Sequence, residues 1–505
     1  MRRRIPVLTS TTLIAALVAT AVIAGTAGVA SAKNNSGETE VRAKNVIYLL
    51  GDGMGRTHVT AARERYYGSD GKLAMETLPS QGFISTYAVE KLSGQPGSGN
   101  FHPNPVTDSA SAATAWSSGV KTYNAALGVD AAGTLAPTIM ELAKKAGFRT
   151  GNVSTAEVTD ATPAGQMSHA LARGCQGPLY SDAACQDLAI TGKALPTSDI
   201  RVTPIADQIA RNGTADVILG GGLSRFDAAD ETALKDQGYA VLGSPTSQRI
   251  ATKVDLASAS GQKVFGLFNR GNLTIEKAKQ DNPSSVQAQE PTLPEMTSKA
   301  LELLTKKGSL KDQGSSKGFY LQIEGALIDK RSHANDAAQT LGEMKAFDDA
   351  VNVAKEFAAK DGNTLVIVTA DHECAGFNII EKGTFTNAES TAPPANVDSG
   401  NTANNSTPTR PRNALDPTRS TGIINGAGAG NSKNFAPATF RIPSDPAGVV
   451  DGSPEAGLWL TYLSGNHTGA DVPVYAYGPG SDQLQGTIDN IALFGIVGHA
   501  LRIIR

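Results

Sequence analysis

Cysteine and histidine are scarce, at 3 and 7 of 505 residues, and charged side chains make up only 18% of the chain. Each shortage excludes something. Lys and Arg together number 45 against 48 Asp and Glu, a formal net charge of -3. No basic surface of the kind that displaces counterions from nucleic acid follows from that balance, so a nucleic-acid partner is excluded. Charge below the usual ~25% points to a large, well-buried interior. The 53 glycines show no triplet period and apolar residues make up 40%, which excludes a collagen-like chain and wholesale disorder. Beyond residue 24 no apolar run approaches the ~20 residues of a membrane span. With so few soft ligands, any histidine or cysteine that gathers with carboxylates carries information.

The first residues read as an address. Arg2, Arg3 and Arg4 precede an apolar stretch from Leu13 to Ala24, followed by Ala30-Ser31-Ala32, the small-x-small pattern of a signal-peptidase site. Residues 1–32 are expected to be a signal peptide and 33–505 the mature, exported chain, in the periplasm, cell envelope or extracellular space, with no membrane span after cleavage. The arginines hint at twin-arginine export. No cysteine precedes Cys175, so a lipid-attachment cysteine is absent. Export implies an oxidising compartment, and Cys175 and Cys185, with Gly177-Pro178 between them, read as a local disulfide. Cys374 is left over.

Dividing the length by ~150 suggests about three domains, but one wide sheet with insertions fits equally well. Short apolar or β-branched runs recur at Asn45–Leu50, Arg149–Val153, Asp216–Leu219, Lys263–Phe268, Gly318–Ile323, Thr364–Thr369 and Pro473–Tyr477. Each is ended by Gly, Asp or Glu, as strands are. Helical spacing appears between them, as in Met296, Ala300, Leu303 and Leu304 after a capping-type Thr292-Leu293-Pro294-Glu295, and in Leu341, Met344, Phe347, Val351 and Ala354. The alternation predicts an α/β fold with a large, mostly parallel sheet flanked by helices on both faces. Ligands bind such sheets at the carboxyl ends of strands. From Thr384 to Asp451 the composition turns to Ser, Thr, Asn, Pro and Gly, which reads as a long surface insertion, 384–451.

Gly51-Asp52-Gly53-Met54-Gly55 follows a strand but is not a dinucleotide fingerprint. The third glycine is out of place, and Asp52 within the turn would repel a pyrophosphate. The informative pattern lies where carboxylates meet histidines. Asp52 ends the first strand, Glu324 and Asp329 follow the run ending at Ile323, and His333 comes one helical turn after Asp329. Asp371-His372 closes another strand, and His467 stands in a polar turn before the last one. Singly, each is a turn former or a surface histidine; together they meet on one rim. Mixed Asp/His sets suit zinc, and all-oxygen sets suit magnesium. Two soft sets can be drawn, Asp329, His333 and His467, and Asp52, Asp371 and His372, leaving an oxygen set of Asp52, Thr162 and Glu324. In Val106 to Trp116 an Asp-Ser pair opens an Ala-rich helix. Ser109 there is either a capping-turn residue or a nucleophile, set where free N–H groups suit a phosphate.

These stretches, with Lys121 to Asn124, Gly151 to Pro163 and His467-Thr468-Gly469, resemble the bacterial alkaline phosphatases, the enteric periplasmic type above all, along most of the mature length. The resemblance implies a phosphomonoesterase acting on small phosphate esters, with Ser109 the phosphorylated nucleophile and Arg173 the phosphate clamp. It implies two zinc ions and one magnesium on the three sets above, with Asp160 and Lys330 acting through waters on the magnesium site and the phosphate. It also implies a homodimer. Two departures stand out. The stretch between His372 and His467 is longer than in the enteric type, enlarging the rim where substrate enters and a partner would sit. Cys374 replaces an ordinary residue, and reads as a buried bystander, or alternatively as an extra metal contact. Rival readings are a phosphodiesterase or phosphotransferase of the same superfamily, and a non-catalytic metal- or phosphate-binding surface protein. A sulfatase is disfavoured because Asp108 to Ala112 lacks the Pro and Arg of its modification motif.

Overall fold

Every strand expected from an apolar run lies in one ten-stranded sheet of the computed structural model. The structure describes residues 42–306, 317–382, 438–453, 455–463 and 465–504. The expected leader, 1–32, lies outside the described residues, as does the 384–437 part of the expected insertion. The strands are β1 (Asn45–Gly51), β2 (Ser80–Ser85), β3 (Arg149–Glu157), β4 (Val217–Gly221), β5 (Tyr239–Leu242), β6 (Lys263–Leu267), β7 (Phe319–Gly325), β8 (Thr364–Thr369), β9 (Val472–Tyr477) and β10 (Gly486–Asp489). Side by side they run β10-β2-β9-β8-β1-β7-β3-β4-β6-β5. Only β9 opposes its neighbours, pairing antiparallel with β8 and β2.

The central strands β8, β1, β7 and β3 are buried along their whole length. That is why they read as unbroken apolar runs: a parallel sheet covered on both faces leaves no polar alternation. The crossover from β3 to β4 steps one way along the sheet. The connection from β7 to β8, through the helix α6 (Ala337–Asp361), steps the other way across β1. Right-handed crossovers in opposite directions place helices on opposite faces. The helix expected after Thr292 is α4 (Leu293–Thr305), with the Thr292 side chain accepting from the Glu295 amide in a capping box.

Three corrections apply. β7 continues through Glu324 to Gly325 rather than ending at Ile323, and Pro473–Tyr477 is not the last strand, because β10 follows it. The expected insertion is not surface throughout: Ala438–Phe440 is a buried strand, paired with Leu458–Thr461, which also pairs with Asn378–Ile380. The disulfide Cys175–Cys185 is present, and Cys374 is free and buried.

Candidate active site

Three neighbouring strands bring their carboxyl ends into line, with Leu50 of β1 opposite both Thr369 of β8 and Glu324 of β7. Asp52 leaves β1 ahead of α1 (Arg56–Tyr67), Asp371 and His372 leave β8, and β7 runs through Gly325 into α5 (Leu327–His333), which carries Asp329 and His333. Asp329 and His333 lie four apart and so share a helix face. His467 arrives from a two-stranded antiparallel ladder in which it opposes Cys374.

The first donor set is Asp329, His333 and His467. His333 Nδ1 donates to the Gly465 carbonyl at 2.6 Å, and His467 Nδ1 to the Thr107 carbonyl at 3.0 Å. A carbonyl only accepts, so each Nδ1 carries the proton and each Nε2 lone pair turns inward. The two Nε2 atoms stand 3.1 Å apart, and 3.3 and 3.4 Å from the carboxylate of Asp329. Neither oxygen of the fully buried Asp329 accepts a hydrogen bond among the described residues. Lone pairs facing one another without protons call for a cation, and a mixed N/O set suits zinc.

In the second set, Asp371 Oδ1 accepts from the amides of Gly53 and His372, each at 3.0 Å, leaving Oδ2 free to face inward. His372 Nε2 lies 3.2 Å from Asp371 Oδ2 and 3.7 Å from Asp52 Oδ1, and neither oxygen has a hydrogen-bond partner among the described residues. Burial, then the charges of Asp329, Asp371 and Glu324, push the Asp52 carboxyl well up. Burial likewise pushes Asp371 up to about 6. The rings of His372 and His467 stack at 3.5 Å between centroids, so the two sets adjoin. Thr162, on the short helix α3 (Ala161–Met167) and beside Glu324, has a buried hydroxyl without a partner among the described residues. Glu324 accepts from Ser154, and burial pushes it up to about 8. These oxygen donors suit a hard cation such as magnesium.

Ser109 opens α2 (Ser109–Ser118), with Asp108 as N-cap accepting from the Ser111 amide. The helix is buried along its length, and its small residues allow α3 to come close: a Cβ on Gly165 would lie 2.6 Å from that of Ala113. Ser109 Oγ lies 3.2 Å from His372 Nε2. Arg173 donates to Asp108 at 3.1 Å and to Asp160 at 2.7 Å, and Lys330 donates to Asp160 at 2.8 Å. Burial would raise the Asp160 carboxyl, but Lys330 and Arg173 outweigh it and hold it low. The guanidinium is thereby tied to the cap of the serine helix. A cleft of about 680 Å³ opens over Asp108, Asp160, Arg173, His333 and His467.

Every sequence-derived site residue therefore gathers at one end of the sheet. Others were not singled out. Asn124 accepts from the Asp108 amide and the Ser111 hydroxyl, bracing the helix start, and the Glu157–Arg225 ion pair lines the cleft mouth. Asn124 closes the Lys121 to Asn124 motif, whereas nothing in the sequence marks Glu157 with Arg225.

An α/β sheet with two adjoining metal-donor sets at its strand ends, and a helix-capped serine beside them, is the arrangement of a metal-assisted phosphoryl-transfer enzyme. The comparisons narrow the class. The alkaline phosphatase family profile matches residues 43–503. The alkaline phosphatase of Escherichia coli K12 is 42% identical over 355 residues, covering 65% of this chain and 70% of the relative. The streptomycin-6-phosphate phosphatase of Streptomyces griseus is 34% identical over 481 residues, 91% of this chain and 90% of its own. Among solved structures, the alkaline phosphatase of the Antarctic bacterium TAB5 aligns with a TM-score of 0.60 at 26% identity, covering 92% of this chain and 99% of that one. The chain belongs to the alkaline phosphatase family, enzymes that hydrolyse phosphate monoesters.

Proposed function

We propose that this protein is an exported phosphomonoesterase that works through a phosphoserine on Ser109. Asp329, His333 and His467 would hold one zinc, Asp52, Asp371 and His372 a second, and Asp52, Thr162 and Glu324 a magnesium. Bound there, such ions supply Lewis-acid charge and lower the pKa of coordinated hydroxyls.

The chain's own residues do the rest. The buried start of α2 fixes Ser109 Oγ, so attack on phosphorus needs no reorganisation of the nucleophile. The O–P bond forms at Ser109 as the ester O–P bond breaks, and the alcohol leaves with a proton. Arg173, held between Asp108 and Asp160, presents its planar fork to two phosphoryl oxygens. Lys330 and Asp160 fix that fork and order water at its far side. Water then cleaves the phosphoserine, releasing inorganic phosphate and restoring the serine. Barriers of this reaction in water are so high that accelerations approach ~10²¹, about 28 kcal/mol. One arginine on the phosphoryl group supplies roughly 10³–10⁵ of that, so ions, positioning and the covalent step must share the remainder.

The observation that carries this reading is Ser109 Oγ at 3.2 Å from His372 Nε2, at the edge of the two donor sets. The signal-peptide reading of 1–32 supports export, and no helix among the described residues is long and apolar enough to cross a membrane. A homodimer is part of the same proposal, on family resemblance. The test combines metal analysis of the purified protein with turnover of p-nitrophenyl phosphate. Zinc and magnesium should co-purify, a chelator should abolish turnover, and Ser109→Ala should abolish acid-stable labelling by radioactive phosphate. Undiminished turnover by Ser109→Ala would sink the covalent step.

A further inference from the structure

We propose that Cys374 is a fourth, sulfur donor in the zinc pocket of Asp329, His333 and His467, an inference that rests on the zinc assignment above. Four observations converge. One ligand atom each from Asp329, His333, Cys374 and His467 all lie within 4.8 Å of one another. Cys374 stands directly opposite His467 in the antiparallel ladder, and side chains directly opposite share a face. Gly53 holds sulfur and carboxylate together: its backbone sits at φ +70, the Cys374 amide donates to its carbonyl at 3.1 Å, and a Cβ on it would lie 2.8 Å from Cys374 Cβ and 2.9 Å from Asp329 Cβ. No side chain can come between them from that side. The fourth observation points to a ligand independently of the cysteine: both carboxylate oxygens of fully buried Asp329 lack hydrogen-bond partners among the described residues.

The sulfur itself makes only a long contact, 3.7 Å to the Asp329 carbonyl. A thiol this deep would ordinarily be a small apolar filler, yet here it faces a carboxylate and two imidazoles. Thiolate is a preferred zinc ligand, with Zn–S near 2.3 Å. On ligation the S–H bond breaks, its proton passes to bulk water, and an S–Zn bond forms. The donor charges of Asp329 and Cys374 then balance the two charges of the ion. Zinc can expand to five-coordinate, so a fourth protein donor would still leave a position for an exchangeable oxygen.

X-ray absorption at the zinc edge on the full zinc-loaded protein tests this. We expect a sulfur shell at about 2.3 Å beside nitrogen and oxygen at about 2.0–2.2 Å. In the cobalt-substituted protein a thiolate-to-cobalt charge-transfer band should appear in the near ultraviolet. Cys374→Ser should lose both signals and weaken one of the two soft-metal affinities by about tenfold or more. Cys374→Ala, which removes donor capacity without adding a polar atom, should match it. Zinc bound through nitrogen and oxygen alone in the unmodified protein overturns the sulfur donor and leaves the zinc assignment standing. A protein that takes up no zinc overturns both.

Discussion

Removing the metal ions should make this protein less stable as pH rises, the reverse of ordinary behaviour for a carboxylate-rich site. Asp52, Glu324 and Asp371 are buried and crowd one another. Burial raises Glu324 from 4.5 to about 8 and Asp371 from 3.8 to about 6. A raised carboxyl means that the folded state binds more protons than the unfolded one, so unfolding free energy falls as pH increases through that interval. The stability is present below pH ~4 and lost progressively up to pH ~8. At ~1.4 kcal/mol per unit, Glu324 alone accounts for on the order of 5 kcal/mol and Asp371 for on the order of 3. A domain's net stability is only ~5–15 kcal/mol, so the loss would be visible as a large drop in melting temperature. Bound cations replace the protons as counter-charge, so the loaded protein should show a much flatter profile across the alkaline range. Melting curves of chelator-treated and zinc- and magnesium-reconstituted protein, from pH ~5 to ~9 with the disulfide intact, provide the comparison. A metal-free protein equally stable at both ends would refute the reasoning, because it would mean that these carboxyls are already neutralised by the fold.

Three further outcomes follow from the geometry. Arg173→Lys keeps the charge but cannot reach Asp108 and Asp160 while offering two parallel donors, so inhibition by inorganic phosphate should weaken about tenfold or more along with turnover. Unchanged phosphate inhibition would mean the clamp lies elsewhere. Cys175→Ser opens the bridge over a separation of 10 residues and should lower unfolding free energy by roughly 2–3 kcal/mol in urea titrations. Gly53→Ala places a Cβ against Cys374 and Asp329 at a positive φ and should destabilise by about 2–4 kcal/mol while lowering zinc content, measured by melting and metal analysis.

The legible parts of the fold are those where burial leaves a one-dimensional trace. β1, β7 and β8 are covered on both faces and appear as apolar runs, whereas Ser80–Ser85 and Gly486–Asp489 alternate or turn polar at the sheet margin and leave no such signal. Ala438–Phe440 is only three residues long inside a polar stretch, too short for periodicity to register. Within the site, the histidines and carboxylates were legible because they are few and stand where strands end. The carbonyls of Thr107 and Gly465, which set the tautomers of His467 and His333, were not, since a backbone acceptor has no residue type. The direction of the Cys374 side chain was equally hidden. It depends on the register of a two-residue ladder, not on the neighbouring His372.

That ladder has a consequence for how the protein matures. Its two strands, Glu373–Cys374 and His467–Thr468, are the contact by which the last donor reaches the first pocket. The donors of that pocket run from Asp329 to His467, and the ladder pairs Cys374 with His467 across a long stretch of chain, a pairing that forms late, after the loop between them has been closed. On the proposed assignment, the chain must therefore be synthesised through His467 and paired before the first pocket has its full donor set. A chain cut short before His467 would lack both that imidazole and the strand opposite Cys374. Metal uptake would then act as a proofreading step, one that only full-length, correctly paired molecules pass.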